Sequence, residues 1–302
     1  MRIALFGQAD FGKDVLASLQ EAGEQLVGVS VPRAGARPDA LRVAAEAAGL
    51  PVIETPALRE PDPLAELVAW QPDLLVFAFV TDIVRRPVLE AARLGAIQYH
   101  PSLLPRHRGR SAMAWPIIAG EPRTGLTIFW VDRGVDTGPI LLQREVDIAP
   151  DDTVGSLYFK RLAPMGVKAL TEAVRLVREG QAPRVPQDEA AATYEPPIGP
   201  EHCNIDWQRP AALVHNHIRG CDPQPGAATG WRGKRLRLFD CTCREGKAAT
   251  APGTVVAIED GRALIATVGG AVSVGRVQRD GEAKVEAGSV LTPGDLLGPI
   301  EA

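Results

Sequence analysis

The sequence predicts an α/β protein in which a Rossmann-like parallel sheet domain is followed by a smaller C-terminal β-rich domain, a small β-barrel or sandwich. Three observations predict this class. Short apolar runs alternate with helical stretches through the first half of the chain, as expected for a parallel sheet covered on both faces. Residues 181–200 are rich in proline and polar residues, which is typical of a linker. Beyond residue 233, short apolar runs are separated by Gly and Asp, as in small barrels and sandwiches.

The first half of the chain supplies the sheet. Residues 3–6 form an apolar run that ends at Gly7, and an amphipathic stretch continues to Gly23, where a left-handed helix cap is expected. Residues 74–79 are an unbroken apolar run, which suits a central strand buried on both faces. Further strands are predicted at residues 26–31, 96–99, 124–131 and 140–146, and further helices at residues 41–48, 64–70 and 86–94.

A long helical stretch ends this part of the chain. Asp152 is predicted to cap it, Pro164 to kink or split it, and Gly180 to lie near its end. The linker that follows leads to predicted domains at residues 1–190 and 203–302. A helix is expected at residues 210–219 of the second domain, and its strands are expected at residues 236–239, 254–258, 263–268 and 271–274.

Length, charge and cysteine content limit the class of protein. A chain of 302 residues exceeds what one core usually fills, so two domains are expected. The formal net charge is −4, so the chain lacks the basic overall field that helps a protein to hold nucleic acid. The N-terminal apolar run is too short for a signal or a membrane span, and the four cysteines do not form the pattern of a small secreted domain. We therefore expect a cytoplasmic protein without a membrane partner.

The segment from Gly7 to Asp14 nearly matches a phosphate-binding P-loop. The match fails at Asp14, because a Ser or Thr hydroxyl is needed there for magnesium and a carboxylate would lie near the phosphates. We therefore interpret Gly7 and Gly12 as glycines that permit a tight strand-to-helix turn.

Two segments carry the chemical signal. The first, QYHPSLLPRHRG at residues 98–109, follows a predicted strand and contains two prolines, so it is a stiff mount for the imidazole of His100. His107 is the weaker candidate. The second, DRGVDTG at residues 132–138, crowds two acids and two glycines between two predicted strands, which fits a turn as well as a functional loop.

Together these segments resemble the 10-formyltetrahydrofolate-dependent formyltransferases and hydrolases. HPSLLPRHRG followed by GVDTG carries the resemblance, and IFWVDRGVDTGPILLQ, PDDTV, AVRLVREGQAPRVPQ and ATYE extend it. The chain is most similar to the hydrolase domain of 10-formyltetrahydrofolate dehydrogenase. IDWQRPAALVHNHIRGCDPQPGA also resembles methionyl-tRNA formyltransferase, and the likeness weakens after about Cys243.

The resemblance implies that the C-terminal domain is a small, OB-like β-barrel. It also implies a co-substrate, 10-formyltetrahydrofolate, and a reaction without a metal. His100 matches the catalytic histidine, which would meet negative charge on the formyl oxygen. Asp136 matches the catalytic aspartate, which would hold a water or an acceptor amine and keep the imidazole charged. The implied folate contacts are Phe79, Val80, Asp82, Ser102, Leu103, Leu104, Ile128, Asp132 and Val135.

Gln98, the third candidate catalytic residue, departs from the family pattern. Most transferases of the family have Asn two positions before the catalytic histidine, and the hydrolase domain of the dehydrogenase has an apolar residue there. The extra methylene of Gln98 displaces its amide donor by about one bond length, whereas oxyanion donors need a distance of about 2.7–3.1 Å. Either the side chain adjusts and meets the formyl oxygen, or it turns away, and we expect the second. Water is then a credible acceptor.

Three functions remain open on the sequence. The first is removal of the formyl group from 10-formyltetrahydrofolate to water or a small amine, a class that includes sugar amines. The second is formylation of methionyl-tRNA. The methionyl-tRNA formyltransferases that this chain resembles use a basic loop after the second strand. Here residues 31–39 are short and hold only Arg33 and Arg37, so tRNA is not favoured. The third, a non-catalytic folate-binding module, is the weakest, because both His100 and Asp136 are present.

A metal site is the last alternative. Cys241 and Cys243 would point to one side of a strand, and three histidines lie nearby in sequence. A structural zinc site would need a second pair at regular spacing, and the sequence has none. We therefore expect no metal.

Overall fold

The computed structural model describes residues 1–246 and 250–300, apart from the side chain of Glu245. The chain forms two compact units. The first comprises Met1–Arg110, Gly125–Val146 and Lys160–Tyr194, and the second comprises Ser111–Thr124, Asp147–Phe159 and Glu195–Ala302. Each unit takes up three separate pieces of the chain, and the simple division at residues 190 and 203 stays a prediction.

A seven-stranded sheet forms the first unit, in the order β3-β2-β1-β4-β5-β6-β7. The five strands from β3 to β5 are parallel, as predicted, and β6 runs antiparallel to β5, so the sheet is mixed. The strands are β1 (Arg2–Gly7), β2 (Gln25–Val31), β3 (Val52–Glu54), β4 (Leu74–Ala78), β5 (Ala96–His100), β6 (Arg123–Trp130) and β7 (Ile140–Asp147).

Helices cover both faces of this sheet. Side chains of α1, α2 and α7 pack with Ile3, Leu5 and Val76 on one face, and side chains near α3 and α4 pack with Phe6 and Phe77 on the other. The central strands are apolar throughout because each face lies in a core. The helices of the chain are α1 (Ala9–Glu21), α2 (Ala40–Ala47), α3 (Pro61–Ala69), α4 (Arg86–Leu89), α5 (Ala114–Ala119), α6 (Val154–Leu157), α7 (Ala163–Arg178) and α8 (Ala211–Gly220).

Several helix boundaries differ from the sequence predictions. Helix α3 begins three residues early, because prolines are accepted in the first turn of a helix. Helix α4 has only four residues. The predicted cap Asp152 is wrong by one position, since the Thr153 side chain accepts from the backbone of Ser156 in a capping box. Pro164 does split the helical stretch: a π-helical turn at Tyr158–Leu162 precedes α7, with Pro164 in its first turn.

An antiparallel sheet forms the second unit, in the order β10-β11-β12-β9-β8, with β13 beside β12. Residues 295–298 bond to both outer parts of this sheet: Gly298 exchanges backbone hydrogen bonds with Gly230, and Leu297 donates to Gly253. This closure gives the predicted barrel-like form, while OB-like connectivity stays a prediction. The strands are β8 (Ala227–Trp231), β9 (Lys234–Glu245), β10 (Val255–Glu259), β11 (Arg262–Thr267), β12 (Gly270–Arg279) and β13 (Val285–Glu286).

The residues of the metal alternative have other contacts. Cys241 is buried in the core of the second unit, and Nε2 of His215 lies 3.1 Å from its carbonyl oxygen. Nε2 of His217 lies 2.7 Å from the carbonyl oxygen of His202. Among residues 1–246 and 250–300, no group of three or more His, Cys, Asp or Glu side chains is placed to hold a metal ion. Within the same ranges, no helix has the length and apolar character needed to cross a membrane.

Candidate active site

The candidate site lies where β5 ends. Gln98 and His100 are two apart on this strand, so both side chains project from the sheet face that also carries Ala96. Gln98 is half-buried between Phe77 on β4 and Phe129 on β6. Within the described ranges, its amide makes no hydrogen bond to another side chain or to the backbone. This end of the sheet is where ligands of open α/β sheets bind.

His100 is buried, with 4% exposure, and both ring nitrogens face oxygen atoms. Nε2 lies 2.8 Å from the carbonyl oxygen of His107. A carbonyl oxygen only accepts, so Nε2 carries a proton and donates it there. Nδ1 lies 3.6 Å from Oδ2 of Asp136, which is beyond a good hydrogen bond. The ring is therefore held firmly at Nε2 and loosely at Nδ1.

Asp136 reaches the imidazole from a tight turn. Its backbone has φ +56°, in the left-handed region, and its side chain is 9% exposed. Oδ2 accepts from the backbone N–H of Gly109 at 2.8 Å. The turn itself is closed by Asp132, whose Oδ1 accepts from the Gly134 N–H and the Thr137 hydroxyl. The two acids thus differ: one closes the turn, and the other faces His100.

The last glycine of this turn is required by space. A Cβ atom at Gly138 would lie 1.7 Å from the carbonyl oxygen of Trp130, far inside any real contact. Any larger residue at position 138 would therefore push the turn away from β6 and move Asp136.

Buried hydroxyls fix the loop that follows His100. Ser102 donates to the carbonyl oxygen of Arg106 at 2.7 Å and lies 3.2 Å from that of His107. Thr127, fully buried on β6, donates to the Ser102 carbonyl at 2.7 Å and accepts from the Leu104 N–H at 3.1 Å. The His107 carbonyl that orients His100 is therefore part of a rigid loop.

A second network joins the loop to the turn. Arg108 donates through Nε and Nη2 to Oε1 of Gln187 and forms a two-pronged ion pair with Glu189. That hydrogen bonding raises the pKa of the Arg108 guanidinium and lowers the pKa of the Glu189 carboxyl. Nε2 of Gln187 donates to the carbonyl oxygens of Asp136 and Gly138 at 2.9 and 2.8 Å.

Residues 181–200, which the sequence predicts to be the linker, therefore also contribute contacts to the site. Besides Gln187 and Glu189, Thr193 contributes: its hydroxyl accepts from the His107 N–H at 2.8 Å, and its carbonyl accepts from the Arg108 N–H at 3.1 Å. His107 has φ +55°. Its N–H donates to Thr193 and its carbonyl oxygen accepts from His100, so both backbone groups of His107 support the site.

Most predicted folate contacts lie in the loops around His100, and one does not. Ile128 is fully buried in the core on the opposite sheet face, whereas its neighbours Thr127 and Phe129 share the face of His100. Leu104 and Ser102 are buried in the loop and Ser102 is committed to backbone carbonyls. Partly or largely exposed positions are Phe79, Val80, Asp82, Leu103, Asp132 and Val135.

The sequence reasoning missed Thr127, Arg108 and Gln187. Thr127 could have been found as the one hydroxyl in the otherwise apolar run 126–130. Gln187 ends the AVRLVREGQAPRVPQ string that carries part of the resemblance, but nothing local to it predicts a contact with Asp136.

The fold and this site define a class. The Formyl transferase family model matches residues 1–174, and the Formyl transferase, C-terminal domain model matches residues 197–292. The chain belongs to the formyl transferase family.

Two kinds of curated relatives are similar to this chain. Cytosolic 10-formyltetrahydrofolate dehydrogenase of Mus musculus is 43% identical over 265 residues, covering 84% of this chain. The match covers only 29% of that dehydrogenase, so this chain corresponds to under a third of its length. Methionyl-tRNA formyltransferase of Desulforamulus reducens is 35% identical over 311 residues, covering 99% of this chain and 98% of that protein.

Solved structures share the fold. HypX from Aquifex aeolicus in complex with tetrahydrofolic acid has a TM-score of 0.73 at 23% identity, over 96% of this chain and 47% of that one. Glycinamide ribonucleotide transformylase 1 from Symbiobacterium toebii has a TM-score of 0.52 at 29% identity, over 60% of this chain and 88% of that one.

Proposed function

We propose that the protein removes the formyl group from 10-formyltetrahydrofolate and passes it to water or a small amine, releasing tetrahydrofolate. The observation that carries the proposal is the pairing of His100 with Asp136 at the end of β5, at 3.6 Å between Nδ1 and Oδ2. A buried imidazole beside a carboxylate supplies both a proton donor and a proton acceptor, which are the two groups that acyl transfer needs.

His100 is the group we assign to the formyl oxygen. Attack on the formyl carbon places negative charge on its oxygen, and a fixed donor stabilises that charge. Nε2 is held by the His107 carbonyl at 2.8 Å, whereas the contact of Nδ1 among the described residues is the long one to Asp136. When Nδ1 carries a proton, that proton is the one available to the formyl oxygen.

Asp136 is the group we assign to the acceptor. One carboxylate oxygen accepts from the Gly109 N–H, which fixes its orientation. The carboxylate then takes the proton of the attacking water or amine as the new bond to carbon forms. The bond from carbon to N10 breaks, and the proton passes to N10, so that formate or a formamide leaves with tetrahydrofolate.

The relatives support the identity of the formyl donor, a folate, more than that of the formyl acceptor. The dehydrogenase of Mus musculus matches with the higher identity, 43%, and HypX from Aquifex aeolicus was solved with tetrahydrofolic acid. One observation favours a second candidate: the methionyl-tRNA formyltransferase matches from end to end, at 98% of its length. We therefore propose methionyl-tRNA as the alternative acceptor. Arg33 and Arg37, in the loop after β2, are both exposed and would be available to a nucleic acid.

Product analysis distinguishes these acceptors. The protein is incubated with 10-formyltetrahydrofolate alone, then with small primary amines, then with methionyl-tRNA, and tetrahydrofolate, formate and formylated acceptor are measured. We expect formate without any acceptor or formamide with an amine, at a rate that His100→Gln lowers at least about a hundredfold. His202→Gln, a histidine of the second unit, is the matched control.

The result that supports the alternative is turnover only with methionyl-tRNA. The proposal as a whole is wrong if none of the acceptors yields tetrahydrofolate and reduced folates do not raise the melting temperature, since a ligand that binds only the native state must stabilise it.

A further inference from the structure

Gln187 has an unusual set of contacts for a residue in a proline-rich stretch. Its amide nitrogen donates to two carbonyl oxygens of one turn, those of Asp136 and Gly138, at 2.9 and 2.8 Å. Its amide oxygen accepts from two nitrogen atoms of Arg108, at 3.2 and 2.8 Å. The two N–H donors and the two acceptor positions of the amide are thus all used in contacts around His100.

These contacts act on the backbone conformation of Asp136. Asp136 has φ +56°, a conformation that residues other than glycine adopt at a cost in free energy. Neighbouring contacts must therefore maintain it. Gln187 holds the carbonyl oxygen of Asp136 itself and the one two residues later. The direction in which the Asp136 carboxylate leaves the turn is therefore set in part by the amide of Gln187.

The orientation of that amide is itself fixed. An amide can rotate by half a turn and exchange its oxygen and nitrogen. Arg108 only donates, so it selects the orientation in which the oxygen faces it and the nitrogen faces the turn. Glu189 pairs with the other side of the guanidinium at 2.7 and 2.9 Å, which keeps Arg108 in place.

We infer that Gln187 is a positioning residue, which acts on the reaction through Asp136. The inference rests on the proposed function, since it is that proposal which assigns Asp136 to the acceptor. Arg108 serves as the connection, because the next residue, Gly109, donates its N–H to the Asp136 carboxylate at 2.8 Å. Loop and turn are thus linked twice, through Gln187 to the backbone of Asp136 and through Gly109 to its side chain.

The variant that tests this is Gln187→Glu. It keeps the shape of the side chain and the acceptor for Arg108, but it replaces the donor to the turn by an oxygen that repels both carbonyls. A small misplacement of a catalytic group typically costs up to about a hundredfold, so we expect kcat to fall by about ten- to a hundredfold. We expect KM for 10-formyltetrahydrofolate to change less than about twofold, because the Gln187 amide is engaged with Arg108 and the turn backbone and not with the predicted folate contacts.

A double variant separates positioning from an independent effect. If Gln187 acts only through Asp136, then Gln187→Glu in an Asp136→Asn background adds less than about threefold to the loss. Gln278→Glu is the matched control: Gln278 also donates from Nε2 to a carbonyl oxygen, that of Glu282, but in the second unit. We expect it to leave kcat unchanged.

Hydrogen exchange at the Gly109 amide gives a readout that does not depend on turnover. Displacement of Asp136 breaks the bond from this N–H, so Gln187→Glu should speed its exchange at least about tenfold, with the melting temperature measured in parallel. If Gln187→Glu fails to fold, Gln187→Met, which lacks the repulsion, replaces it.

The inference is overturned if the wild type turns over and the variants keep both kcat and Gly109 exchange within about threefold of it. It is also overturned if the loss in the Asp136→Asn background is as large as in the wild type. Faster exchange in a protein whose wild type shows neither turnover nor stabilisation by reduced folates would instead support the placement of Asp136 by Gln187 and refute the proposed function.

Discussion

Nε2 of His100 lies 2.8 Å from the backbone carbonyl oxygen of His107. One histidine of the motif is therefore oriented by the main chain of the other, not by its ring. The two residues have the same side chain and lie seven positions apart, yet they should respond differently to mutation.

His100→Ala and Asp136→Ala should each lower kcat at least about a hundredfold, because each removes a group assigned to the reacting atoms. His107→Ala should be milder, at less than about tenfold, because alanine supplies the same carbonyl oxygen to His100. Steady-state kinetics of tetrahydrofolate release check all three variants, with circular dichroism to verify folding. A greater loss in His107→Ala than in His100→Ala would mean that the catalytic histidine has been assigned wrongly.

Thr127 should contribute to stability through its hydroxyl. Its Oγ1 donates to the Ser102 carbonyl and accepts from the Leu104 N–H and from Nε2 of Gln143. Thr127→Val fills the same space but leaves these buried groups without their partner, which should cost about 2–4 kcal/mol. Thr127→Ser keeps the hydroxyl and should cost about 1 kcal/mol for the lost methyl group.

Denaturant unfolding of both Thr127 variants measures the difference. The order of the two is the decisive result: a serine variant that is less stable than the valine variant would show that packing of the methyl group, and not the hydroxyl, holds the loop.

The sequence predicted the sheet well because its signals are local. Alternation of apolar runs with helical stretches needs only neighbouring residues, and it located β1, β2, β4 and β5 within about two residues. The antiparallel direction of β6 and the interleaving of chain segments in the two units depend on long-range pairing. Hydrophobic periodicity predicts neither the direction of a strand nor the unit to which a segment belongs.

The candidate site was also predictable only where its signals are local. Gln98 and His100 share a strand, so their common face followed from the sequence alone. The approach of Asp136 depends on a left-handed turn, and the turn depends on Gln187, which lies 51 residues later in a stretch whose composition indicates a linker. Contacts of this kind between two irregular segments have no periodic signal, and only the structure reveals them.

Acid should destabilise the second unit. Burial lowers the pKa of both His215 and His217. The unfolded chain then binds protons that the folded chain does not, so the free energy of unfolding falls as pH drops below the unfolded histidine value of about 6.5. The slope is at most about 1.4 kcal/mol per pH unit for each histidine. Burial raises the pKa of Asp222, so this carboxyl acts in the opposite direction as pH falls through its folded-state pKa.

Urea unfolding between pH 7.5 and pH 5 tests this dependence, with the double variant His215→Gln/His217→Gln for comparison. We expect the wild type to lose stability over this range and the double variant to lose clearly less. An identical slope in both proteins would assign the acid sensitivity to other groups.

Gln98 is the position at which the chain departs from the pattern of most resembling transferases, and its replacement distinguishes the two possible roles of its amide. The side chain is half-buried on the face of His100 and has no hydrogen-bond partner within residues 1–246 and 250–300, so no hydrogen bond from these residues fixes its amide. A donor to a developing negative charge must be fixed in place, and loss of such a donor costs about a hundredfold or more. We therefore expect Gln98→Leu, which keeps the size and removes the amide, to lower kcat by less than about tenfold.

Gln98→Asn is the companion variant, because it shortens the side chain to the length that most of the resembling transferases have. If Gln98→Leu instead lost a hundredfold with its melting temperature unchanged, the amide would be a working oxyanion donor, and an amine would become the preferred acceptor over water.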